Sequence, residues 1–126
     1  MSKRQAREVQ KGGRQEIDRS IFDQEHLQQY TGDDLGLQRE LVNLFVSHFA
    51  PVRTQLDAAG SSADWKFASH SLKGSARSIG APRIAALAEQ LEIIAFEAPK
   101  DDKLRLLDEL DRAMAVFAAE VKKAIG

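Results

Sequence analysis

From residue 17 onward the apolar residues of this chain recur at spacings of three and four, and nowhere do they alternate at a spacing of two between hairpin turns. The first pattern gives a helix one buried face; the second is what a half-buried strand requires. The chain is therefore expected to be all-α. Five helices can be marked. A short one follows Asp23, a side chain suited to capping, and runs to about Tyr30, with Leu27 and Tyr30 facing inward behind Ile21 and Phe22. The second starts after Asp33 and runs to about Ala59 on the stripe Leu37, Leu41, Leu44, Phe45, Phe49, Val52 and Leu56, with a kink expected at Pro51. The third starts near Ser61 or Ser62 and ends at Gly80. The fourth opens on Pro82, where a missing N–H costs nothing, carries Ile84, Leu87, Leu91 and Ile94, and stops before Pro99. The fifth follows Asp101 on Leu104, Leu107, Leu110, Met114, Phe117, Val121 and Ile125. Short connections make consecutive helices antiparallel neighbours, as in a bundle.

At 126 residues the chain is expected to form one domain with a core of its own. It has no cysteine, which excludes disulfides, thiolate metal sites and thiol catalysis. No apolar run reaches the ~18 residues of a membrane span. The N-terminus lacks the apolar segment of a secretory signal, so cytoplasmic residence is the expectation. Residues 1–16 carry five basic and two acidic side chains, while the remainder is net acidic. Residues 1–17 are thus read as a basic, flexible tail ahead of a helical domain at 18–126. A polyanion- or partner-binding arm is the sharper alternative, but the tail has no aromatic side chain to stack on bases. No histidine pair has the i, i+4 spacing of helical metal ligands, so no metal site is expected. His48 is expected partly buried near the stripe of the second helix, and His26 on the surface of the first.

The third helix holds the chemistry. Trp65, Ala68, Leu72, Ala76 and Ile79 line one side and should face the core. Phe67, His70, Gly74 and Arg77 form a second stripe turned well away from it, with Lys73 at its edge. His70 should then project outward, a cation beside it and a side-chain-free patch one turn on. Glycine in a helix interior costs roughly 1 kcal/mol relative to alanine, so its presence asks for a reason. Either it opens one side of the imidazole to a large approaching group, or it lets another helix pack closely. Imidazole is nucleophilic near neutral pH, and Lys73 offers a compact positive charge to an anion on the ring.

The stretch "HSLKGSARSIGAPRIAALAEQLE" resembles the signature of histidine-containing phosphotransfer (HPt) domains through His70, Leu72, Lys73, Gly74, Ser75, Ala76, Ile79-Gly80 and Leu91-Glu92. The preceding "GDDLGLQRELVNLFVSHFAPVRTQL" is similar to the family's second helix. The resemblance covers about residues 18–125. It implies an antiparallel up-and-down four-helix bundle with a short additional N-terminal helix. It implies that His70 accepts a phosphoryl group from a receiver-domain aspartate and passes it to another receiver, in a multistep two-component phosphorelay. By matching position, Lys73 would steady the phosphoryl oxygens and Gly74 would give clearance. Glu92 would accept from one ring N–H, or else be an exposed helix charge. Ser75 would sit near the imidazole, or bond its own backbone. Arg77 would contact phosphate, or remain a solvated charge. Phe67 would touch the docked receiver, or turn into the core.

The resemblance implies a phosphocarrier and not an enzyme, with no ATP site and no cofactor of its own, and the absence of a Walker-type loop or kinase motif agrees with that. Mg²⁺ would come with the receiver partner, either a response regulator or a hybrid histidine kinase. Such domains are expected to be monomers. The alternative from another class is a scaffold that binds a receiver or kinase without carrying phosphate. A nucleic-acid-binding module would rest on the basic tail alone.

Overall fold

A computed structural model describes residues 17–126. Five helices follow one another: α1 (Gln24–Thr31), α2 (Leu35–Ala58), α3 (Ser62–Ile79), α4 (Pro82–Ile93) and α5 (Lys100–Ile125). There is no strand among the described residues. The architecture is a bundle of α2 to α5 with α1 laid against α2 and α3. The interpretation of residues 1–16 as a flexible basic tail lies outside the described residues. Ile17, assigned to that tail, packs against the core.

Local chemistry sets the helix ends. Asp23 accepts from the His26 amide, Asp34 from Leu37 and Ser61 from Asp64, each satisfying a first-turn donor. The cap of α2 is Asp34 and not Asp33. α5 begins one residue before Asp101, behind Pro99; α4 does not continue to Pro99 but ends at Ile93, where Ile94 turns to extended backbone. α2 continues through Pro51, which is exposed. Gly80 closes α3 in the left-handed conformation, φ 83°, with its amide turned back to the carbonyls of Ala76 and Arg77.

Phe117 is the hub of the core. Phe22 meets it edge-on at 5.6 Å between centroids and Phe45 at 5.5 Å, an arrangement favoured by the ring quadrupoles. The segment before α1 straps across the α3–α4 turn. Asp23 donates its amide to the Gly80 carbonyl (2.8 Å), and Arg83 donates its amide to Ser20 (3.1 Å). At the start of the strap, the Asp18 amide donates to the buried Glu120 carboxylate at 3.0 Å. Buried Gln38 accepts from Gln24 and donates to the Gly32 carbonyl, so its burial leaves neither amide atom orphaned.

Several side chains expected inside are outside. Tyr30 is 68% exposed, Leu44 51% and Leu104 47%, because each lies at the margin of its stripe where no neighbouring helix covers it. His48 is exposed rather than partly buried. His26, expected on the surface, is half-buried with its ring edge-on to Tyr30 at 5.7 Å.

Candidate functional site

α3 and α4 run antiparallel, and four cross-helix contacts set their register. Trp65 Nε1 donates to the Leu91 carbonyl (2.7 Å), His70 and Lys73 both reach Glu92, and Arg77 pairs with Glu89 (2.9 Å). The inward stripe of α3 is as expected: Trp65, Ala68, Leu72, Ala76 and Ile79 are all buried. That commits the opposite side to solvent. The His70 side chain is 68% exposed.

Its Nδ1 stands 2.8 Å from Glu92 Oε2, while Lys73 Nζ stands 2.6 Å from Glu92 Oε1. Lys73, first, and His70, second, hold the Glu92 carboxyl below the usual carboxylate range, since both favour the charged form. An ionised carboxylate has no proton to give, so in this contact Nδ1 is the donor. The neutral ring then keeps its lone pair on Nε2. Lys73 is mostly covered, its stem lying along the bundle and its ammonium delivered to the rim of the site.

Gly74 distinguishes between its two readings. A Cβ built there meets no atom within 4 Å, so no helix needs the glycine for close packing. The missing side chain leaves free space next to His70. Gly80 is the opposite case. A Cβ there would fall 2.5 Å from the Asp23 carbonyl oxygen, on a backbone that already disfavours side chains. One glycine of the stretch holds the fold; the other keeps a surface open.

The remaining candidates separate. Arg77 is engaged with Glu89, one rung beyond the cluster. Phe67 is 72% exposed, so it does not turn into the core. Ser75 lines an open groove of about 680 Å³ on the α2 side of Gly74, together with Tyr30, Leu41, Phe45 and His48. Sequence reasoning passed over Ile93, which is 74% exposed. Its signal was available: with Ile84, Ala88 and Leu91 inward, position 93 falls on the far side of α4.

The family model for the Hpt domain matches residues 37–120. The chain belongs to the Hpt domain family. No curated protein and no solved structure matches it. Hpt domains are phosphocarrier modules of phosphorelays, working by histidine phosphotransfer with receiver domains. The matched span runs from α2 to the last turns of α5, and so contains the cluster of His70, Lys73, Gly74 and Glu92. α1 lies ahead of it, yet supplies Tyr30 to the groove wall. Among the described residues, no helix of this Hpt domain is long and apolar enough to cross a membrane.

Proposed function

We propose that this Hpt domain carries its phosphoryl group on Nε2 of His70, taking it from the aspartyl phosphate of one receiver domain and giving it to the aspartate of another. The observation that carries the reading is the exposed imidazole whose Nδ1 is held by Glu92, 2.8 Å away. In the forward step the Nε2 lone pair attacks phosphorus. The Nε2–P bond forms and the P–O bond to the aspartate breaks, the electron pair leaving with the carboxylate. No proton has to move, because Nδ1 keeps its hydrogen and Glu92 balances the positive charge that develops on the ring. Lys73, already at the rim, offers its ammonium to the phosphoryl oxygens. Gly74 leaves room for the partner's aspartate loop. The reverse step uses the same groups.

In this reading the receiver brings Mg²⁺ and most of the catalytic groups, and the chain works as a cytoplasmic monomer. Ser75 and Arg77 serve the partner surface and not the imidazole. The test is incubation with a panel of receiver domains phosphorylated with radiolabelled acetyl phosphate. The chain should take up acid-labile label, and His70→Gln should take up none. Label of equal strength in that variant rules out His70 as the carrier. Receiver binding without label in the parent supports the non-phosphorylated scaffold instead.

A further inference from the structure

Ile93 and Phe67 are the two most exposed large apolar side chains among the described residues, at 74% and 72%. Isolated apolar residues on a surface are ordinary and mean nothing alone. The position of these two is what matters. Phe67 is three residues before His70 on α3, so the two side chains are neighbours on one helix face. Ile93 follows Glu92, whose carboxylate touches His70 Nδ1, so α4 presents Ile93 level with the imidazole. It also stands one turn beyond Glu89, which pairs with Arg77 on the same outer face of the two helices. Packed helix axes lie roughly 8–10 Å apart, which sets the scale of the gap between the Ile93 and His70 backbones.

A protein that brings a carboxylate to His70 Nε2 has to sit on this ground. A standard interface covers about 800 Å² per partner, a disc of about 16 Å radius. Centred on His70, such a disc takes in Phe67 and Ile93 as well as the groove beyond Gly74. We infer that Phe67, on the α2 side of His70 where it lines a groove with Gln55, Ala58 and Ala59, and Ile93, on the α4 side, form an apolar shelf flanking the imidazole that the receiver domain covers during transfer, and that Ile93 helps set which receiver is accepted. This rests on His70 being the phosphoryl acceptor. The occupant is a receiver because the shelf is continuous with the reacting nitrogen; a second copy of this chain seated there would cover His70 and block transfer.

The test uses the full chain, the receiver that labels it fastest, and the variants Ile93→Asp, Ile93→Leu and Phe67→Ala. Transfer rate is measured against receiver concentration. Labelling of His70 by phosphoramidate, a small donor that needs no docking, reports the nucleophile separately. Ile93→Asp should raise the half-saturating receiver concentration about tenfold or more, the range of an interface hot spot, and Phe67→Ala about fivefold. Ile93→Leu should restore it to within about twofold, as a swap of equal volume does. Phosphoramidate labelling and the unfolding midpoint should stay at the parent's values. An unchanged half-saturation point in Ile93→Asp, with the parent transferring normally, overturns the shelf and leaves the assignment of His70 intact. A parent dimer that Ile93→Asp converts to a faster-transferring monomer overturns it in favour of self-association. A parent that neither receivers nor phosphoramidate can label overturns the assignment of His70 and the shelf with it.

Discussion

Gly74 leaves the helix surface one turn from His70 without a side chain. In a helix interior glycine is worse than alanine because it loses more backbone freedom on folding. Nothing in the domain repays that cost, since a methyl group at Gly74 would touch no neighbour. Gly74→Ala should therefore stabilise the domain by about 0.5–1 kcal/mol in urea unfolding. Gly74→Gln should also fold, but its longer side chain, one turn from His70, should slow transfer from a receiver about tenfold or more. Equal transfer rates in the parent and Gly74→Gln would mean that the open patch is not used. Glu92 meets Nδ1 and Lys73 with different oxygens, and under the proposed function that one carboxylate would set the ring's tautomer and keep the ammonium beside it.

At the scale of elements, the α3–α4 hairpin is the part on which the site depends, and Gly80 is its pivot. The turn needs a left-handed residue, and the strap before α1 lies against it through the Asp23 amide. Gly80→Ala should cost at least roughly 1–2 kcal/mol from the backbone alone, and more from the clash with the Asp23 carbonyl. A urea midpoint equal to the parent's would contradict that. This hairpin was almost wholly legible in the sequence. Ser61 and Gly80 are strong local signals, and the inward stripe of α3 follows from spacing. Other features were not legible. Spacing places Tyr30 and Leu44 on an apolar side of their helices, but exposure depends on which neighbouring helix arrives to cover them. The choice between Asp33 and Asp34 as cap turns on one residue of backbone geometry that both side chains would satisfy. The link from Glu92 to His70 joins residues 22 apart and was legible only through the family resemblance, never from periodicity. Ile93 was missed because Ile94 beside it matched the inward pattern.

For the whole molecule, the N-terminal strap is tied down at a charged point. Buried Glu120 accepts from Lys123 (2.7 Å) and from the Asp18 amide (3.0 Å). These contacts, Lys123 first, hold its carboxyl below the usual range. A carboxylate with a depressed folded-state pKa lends stability that is fully present above its unfolded value, about 4.3, and is lost as pH falls through the folded one. The thermal midpoint should therefore drop on acidification below about pH 4.3. In Glu120→Gln the drop should be shallower, from a lower starting midpoint at pH 7. Parallel curves for the two proteins would remove Glu120 from the acid response. Glu92 contributes with the same sign, so acid should loosen the site and the strap together.

The placement of one phosphorus atom and one proton tests the site most directly. The chain, labelled with ¹⁵N at its histidine side chains and phosphorylated by its receiver, can be read by ¹⁵N and ³¹P NMR. The expected result is a single phosphohistidine at His70, with phosphorus bonded to Nε2 and hydrogen retained on Nδ1. Phosphorus on Nδ1 of His70, or on His26 or His48, would contradict it.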